Sequence, residues 1–137
     1  MGKEITIGME FDSAPHLIDN EKLVVFERVI WSRVANVHSD PAVAKRVGMS
    51  KTIASGQNQL AFMHQLMEEN FCKGWTQGGK ISASWVHPVY VGDTIQAKAC
   101  VISIEDIDGR KRVGMEIWCE NQSGIKTGRG TSHAFLD

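Results

Sequence analysis

Between Ser55 and Trp75 the chain reads as one helix, and from Lys80 onward it reads as strands. In "SGQNQLAFMHQLMEENFCKGW" the apolar positions Leu60, Met63, Met67 and Phe71 recur at helical spacing, and no Gly or Pro falls between Gly56 and Gly74. This is the longest helix that the sequence predicts, and its stripe of Met and Phe marks it as the buried one, with Glu68 and Glu69 on the solvated side. The following segments "KISASWVH", "TIQAKACVISI", "RVGMEIWCE" and "IKTGRGTSHAF" alternate with period two. They are separated by Gly92-Asp93 and by the turns "DIDG" and "NQSG". In the first of them Ile81, Ala83, Trp85 and His87 share a face. One apolar helix followed by a meander of four antiparallel strands predicts an α+β fold in which a sheet packs on that helix.

The N-terminal half is less periodic. Glu4 to Met9 alternates weakly, as an edge strand would, and "FDSAPHLIDNEK" carries turn residues and a Pro, as a loop would. From Leu23 to Val34 the positions Leu23, Phe26, Ile30 and Val34 fit a helix, while the β-branched run "LVVFERVI" leaves a strand open. Asp40-Pro41 is a helix start signal: Asp accepts from free N–H groups, and Pro fits the first position because it has no N–H to leave unpaired. The short helix that follows runs to Val47 and ends at Gly48.

At 137 residues the chain is expected to form one domain, 1–137, with a real core. A net charge of −1 with no basic stripe interleaved with aromatics argues against nucleic-acid binding. Three widely spaced cysteines, Cys72, Cys100 and Cys119, form no CxxC pair, which fits a reducing, cytoplasmic setting better than zinc or dithiol chemistry. No apolar run approaches the ~20 residues that span a bilayer, and the N-terminus lacks the pattern of a signal peptide. The opening "MGKEIT" satisfies the loose myristoylation pattern, but also reads as the first strand. His16, His64, His87 and His133 have no metal-ligand spacing, so no metal or other cofactor is expected. His64, beside the apolar stripe, is expected to be an interior histidine, and His87 and His133 are expected to be structural.

Three stretches, "HPVYVGDTIQAKACVISI", "CENQSGIKTGRGT" and "VHSDPAVAKRVGMSKTIASG", together resemble the MaoC-type (R)-specific hydratase/dehydratase family. The likeness runs from about Leu23 to Phe135. Its firmest part is Pro-Val-x-x-Gly-Asp-Thr at Pro88 to Thr94, joined by the Asn-Gln-x-Gly turn and the later Arg-Gly-Thr. The resemblance implies a hotdog fold, a long central helix wrapped by a curved antiparallel β-sheet. It also implies a homodimer or a heteromer of hotdog subunits, and a thioester substrate on CoA or an acyl carrier. The family's catalytic signature is Asp-x-Asn-Pro-x-His. With its histidine at His38, Arg33 stands at the Asp position, Ala35 at the Asn position and Asn36 at the Pro position. The family's isoleucine-alanine-histidine-glycine approach to the long helix is "IASG" here, which keeps Gly56 and has Ser55 for the histidine.

Hydration of an α,β-unsaturated thioester needs a group to deprotonate water, a group to protonate the α-carbon and donors for the enolate-like oxygen. Family members use Asp and His around one water. Arg33 cannot replace the Asp, because a guanidinium accepts no hydrogen bond. His38 remains as an acid/base that takes and returns a proton. The Gly56 N–H at a helix N-terminus is the expected oxyanion donor. Asn36 or Ser55 is expected to position the water, and Arg33 to bind an anionic group of the substrate, unless it is a solvent-facing helix-end residue. An inherited loop histidine without catalytic work stays open for His38. So do two further functions for the chain: a non-catalytic subunit of a heteromeric hydratase, and a hotdog thioesterase. The last ranks third because Glu68 and Glu69 come too late in the helix to activate water at its start.

Overall fold

The computed structural model describes residues 4–30 and 35–136. In chain order the elements are β1 (Glu10–Asp12), β2 (His16–Leu17), α1 (Asn20–Ile30), α2 (Pro41–Arg46), α3 (Gly56–Phe71), α4 (Lys73–Thr76), β3 (Lys80–Trp85), β4 (Thr94–Ile107), β5 (Arg110–Glu120) and β6 (Lys126–Leu136).

Helix α3 is the buried helix that its periodicity predicts. Met63, Leu66, Met67 and Phe71 project into a core formed with Ile95, Ala97, Ala99 and Val101 of β4 and with Val113, Met115, Ile117 and Cys119 of β5. Leu60, which the sequence places on this stripe, is only half-buried. The period-two alternation of β4 puts every second side chain into the core up to Val101. Ile102 follows the alternation out to solvent, and a register shift between Val101 and Ser103 then brings Ile104 back against the core. His64 is exposed, in edge-on contact with Trp75 at 5.2 Å, not interior as expected. It falls off the face that carries Met63 and Met67.

The four expected strands are present and antiparallel, but they are not a simple meander. The order across the sheet is β1-β4-β5-β6-β3, so β4 to β6 form the meander while β3 crosses to the far edge beside β6. A tight β3–β4 hairpin is precluded because the segment between these strands is bonded elsewhere. Val86 donates to the Thr127 carbonyl at 2.9 Å, and Ala54 and Val91 N–H reach the Val89 and Thr52 carbonyls at 2.8 and 3.1 Å. The contact between β3 and β6 requires Gly130, where a Cβ would lie 1.9 Å from the Ser82 carbonyl oxygen. Two of the sequence elements that carry the family resemblance clasp each other. Asp93 accepts from Tyr90 N–H (2.8 Å) and from the Gln122 side chain (3.0 Å), while Gln122 also accepts from Thr94 N–H (3.0 Å). These motifs fix the chain path before β4 and after β5.

The N-terminal expectations need correction. The first strand is Glu10–Asp12, not 4–9, although Gly8 and Met9 already exchange backbone bonds with Val101 at 2.8 and 2.9 Å. The stretch expected as a loop, which begins at Phe11, holds β2 and all of β1 but Glu10, and both strands pair with β4. Helix α1 starts at Asn20, three residues earlier than expected, because Asp19 caps it: its carboxylate accepts from Lys22 N–H at 2.7 Å. The residues "DN" are turn formers and cap formers alike, and here they cap. Helix α2 matches its start signal, with Asp40 accepting from Ala42 N–H at 2.9 Å and Pro41 in the first turn, and Gly48 has φ +89°. A long helix against a curved antiparallel sheet is the hotdog fold. Among the described residues, no helix is long and apolar enough to cross a membrane.

Candidate active site

The site is built where the loop before α2 meets the N-terminus of α3. His38 lies on that loop, half-buried, and its ring Nδ1 is 2.9 Å from the Ile53 carbonyl oxygen. A carbonyl only accepts, so Nδ1 carries the proton and Nε2 of the neutral ring presents a lone pair. The loop is held in shape locally. Asn36 accepts the His38 N–H through Oδ1 at 2.8 Å, and its own N–H donates to Ser39 Oγ at 3.1 Å. The backbone of Ile53 donates to the Val37 carbonyl at 3.2 Å, so the loop and the approach to α3 are fastened twice.

Three residues beyond Ile53, Gly56 opens α3. Its N–H belongs to the first turn, whose N–H groups have no partner within the helix and gather the positive end of the helix dipole. Ser55 stands at the cap position, yet its side chain makes no cap bond. Its hydroxyl is buried, and among the described residues no group bonds it. The Trp85 indole from the end of β3 covers Gly56 so closely that a Cβ there would lie 2.0 Å from Nε1. Gly56 thus has a steric reason to be glycine beside any role of its N–H.

The structure therefore brings together four of the five residues that the sequence nominates: Asn36, His38, Ser55 and Gly56. Arg33 lies outside the described residues. Asn36 Oδ1 holds the His38 backbone, and its Nδ2 lies 3.4 Å from Glu27 Oε2.

Glu27 is the residue that the sequence reading missed. On α1 it follows Leu23 by one turn, and both side chains are buried, Glu27 with only 2% exposed. Its Oε1 has no hydrogen-bond partner among the described residues, nor has Nδ2 of the buried Asn58 in the first turns of α3. Leaving a buried polar group unpaired costs about 1–3 kcal/mol, and more when it is charged. The available signal was a charged residue beside Phe26 and one turn from Leu23, on the apolar face of α1.

Burial pushes the Cys119 thiol up to about 12, so it is inert, and lowers His16, whose ring stacks on Phe62 at 4.1 Å.

The chain is similar in structure to several solved proteins. A MaoC-like dehydratase from Rhodospirillum rubrum aligns with a TM-score of 0.80 at 22% identity, over 96% of this chain and 92% of that one. An R-hydratase from Pseudomonas aeruginosa aligns with a TM-score of 0.81 at 21% identity, over 97% and 83%. The HadBC complex of Mycobacterium tuberculosis, a 3R-hydroxyacyl-ACP dehydratase, aligns with a TM-score of 0.76 at 14% identity, over 98% and 99%. No curated protein matches the chain in sequence. The sequence model of the family described as "MaoC like domain" matches residues 6–126, nearly the whole chain. This chain belongs to the MaoC-like domain family.

Proposed function

We propose that this protein adds water to, or removes it from, an acyl thioester of the enoyl/3-hydroxyacyl type, with His38 as acid and base. The observation that carries this reading is the Nδ1 contact of His38 with the Ile53 carbonyl, which leaves Nε2 as the free base beside the N-terminus of α3. Nε2 takes a proton from water as the oxygen bonds the β-carbon. The displaced electron pair reaches the thioester oxygen, where the Gly56 N–H and the helix dipole stabilise the charge. The imidazolium then returns its proton to the α-carbon. Asn36 shapes the loop, Ser55 Oγ is a free polar group toward the reacting water, and Arg33, on sequence grounds alone, recognises an anionic group of the substrate. The structural neighbours named as hydratases and dehydratases support this class of substrate. His38→Ala is expected to lower kcat by about 100-fold or more in a protein that stays folded and loses only the roughly 1 kcal/mol of the Ile53 hydrogen bond, since general acid–base groups contribute about 10²–10⁴. Unchanged turnover would remove His38 from the mechanism.

A second reading is favoured by Arg33 and Ala35, which stand where the family signature has Asp and Asn. In it the chain is the supporting subunit of a heteromeric hotdog hydratase, and its His38 is idle. HadBC, a neighbour in structure, is itself a complex. Co-purification with a MaoC-like partner that carries the intact signature, and activity only in that complex, would establish the second reading.

A further inference from the structure

The hydratase reading leaves one buried acidic side chain without work. Glu27 lies in the interior against the loop that carries His38, and an ionised carboxylate offers about four acceptor sites. One long contact, 3.4 Å from Asn36 Nδ2, is the only hydrogen bond its carboxylate makes among the described residues. Oε1 has none. That same Asn36 amide holds the His38 N–H at 2.8 Å, so a single side chain bridges the carboxylate to the histidine.

Glu27 lines a pocket of about 250 Å³ with Val24, Arg28, Ala35, Ser39 and Asp40, while its α1 neighbours Leu23 and Phe26 line a separate one of about 150 Å³ with Asn58. Among the described residues, Asn58 Nδ2 is a buried donor without a partner, Ser55 Oγ is a buried hydroxyl without one, and Glu27 Oε1 is a buried acceptor without one. Glu27 Oε1 thus has an open acceptor site and a cavity beside its side chain, so a small polar molecule that donates to it would satisfy what the neighbouring side chains leave open. The molecule a hydratase must hold in such a place is its water.

We propose that Glu27 is the missing carboxylate of the site, and that its Oε1 holds the reacting water in line with His38 Nε2. The inference rests on the hydratase reading above. Glu27 exchanges no proton in this step. It accepts one hydrogen of the water while His38 Nε2 takes the other as a proton, so the oxygen that bonds the β-carbon retains the hydrogen turned to Glu27. The π pair moves to the thioester oxygen at Gly56, and the imidazolium, stabilised by the carboxylate, delivers its proton to the α-carbon. One water O–H bond breaks, one C–O and one C–H bond form, and His38 ends neutral. The carboxylate that the sequence lacks at Arg33 comes instead from α1.

The test compares wild type with Glu27→Gln in steady-state hydration of trans-2-butenoyl-CoA and trans-2-octenoyl-CoA, together with the melting temperature. Gln is isosteric, and its Oε1 still accepts from Asn36, so a residue that only holds the loop would leave kcat in place. The proposal expects kcat to fall by about 100-fold, the size typical of losing one preorganised electrostatic contact, with KM within about threefold and no loss of melting temperature. A Glu27→Gln kcat within about threefold of wild type overturns it. Should that variant not fold, Glu27→Ala assayed with added formate decides: formate restoring kcat by about tenfold supports the carboxylate role, and no restoration overturns it. A wild-type protein that hydrates neither thioester, alone or co-expressed with its genomic neighbours, overturns the hydratase reading and the role of Glu27 with it.

Discussion

Gly56→Ala separates the two reasons for a glycine at the start of α3. The added Cβ would lie 2.0 Å from Trp85 Nε1 and 2.5 Å from Cδ1 and Cε2. Ordinary contact begins near 3.4 Å, so the ring must retreat by about 1.4 Å (3.4 − 2.0). Trp85 ends the edge strand β3 and is 42% exposed, so it has somewhere to go, but its ring also rests against Gly128 and loses that contact as it moves. Overpacking of this kind costs about 1–3 kcal/mol, offset by up to about 1 kcal/mol of helix propensity for Ala over Gly. A net cost of about 1–2 kcal/mol corresponds to a fall in melting temperature of roughly 2–8 °C, measurable by calorimetry or urea titration. In a Trp85→Leu background the same substitution should cost nothing, a coupling of about 1 kcal/mol or more in the double-mutant cycle. Since Ala keeps the N–H, the double variant should also recover the turnover that Gly56→Ala loses. Gly56→Ala as stable as wild type, or an equal cost with and without Trp85, would refute the steric argument.

Further outcomes follow from contacts remote from the site. Asp93→Ala removes acceptors from Tyr90 N–H and the Gln122 side chain and should cost about 1–3 kcal/mol in urea unfolding, with Gln122→Ala adding less in that background than alone. Additive effects would mean that the two turns do not support each other. Iodoacetamide at about pH 8 should alkylate the exposed Cys72 first and leave Cys119 untouched until the protein unfolds, because burial holds that thiol protonated. Mass spectrometry showing Cys119 modified as fast as Cys72 would contradict its packing. Burial lowers His16 below its ordinary 6.5, so the unfolded chain binds the extra proton more readily and stability declines as pH falls through that value. His16→Phe, which keeps a flat ring against Phe62, should make the decline from about pH 7 to pH 5 shallower, and an unchanged slope would clear His16 of it.

Much of the fold is legible in the sequence because burial and period coincide. The Met63, Met67 and Phe71 stripe and the alternation of β4 and β5 each bury one face, so pattern alone gives element and orientation. The place of β3 was not legible. Its partner is chosen by bonds between residues 52–54 and 89–91, far apart in sequence, and by the close approach at Gly130. The start of α1 was misread because Asp19 serves a cap as well as a turn, and β2 is too short to show a period.

The site divides in the same way. A motif locates His38 and Gly56, and the structure shows the Ile53 carbonyl fixing the tautomer, which no spacing could reveal. Glu27 escaped notice because a charged residue among "VVFERV" looks like the solvated side of a helix until its burial is seen. His64 erred in the opposite sense, since a position next to Met63 on a helix lies about 100° away from it, and only packing decides whether that angle is covered.

The central claim is that His38 turns over an enoyl thioester in this chain. The direct measurement is hydration of a short panel of enoyl-CoAs by the purified protein, its mass determined under native conditions, with and without co-expressed genomic neighbours. Activity in the homomer that His38→Ala abolishes is the predicted result. Activity confined to a mixed complex, and indifferent to His38→Ala, would contradict it and make this chain the supporting subunit.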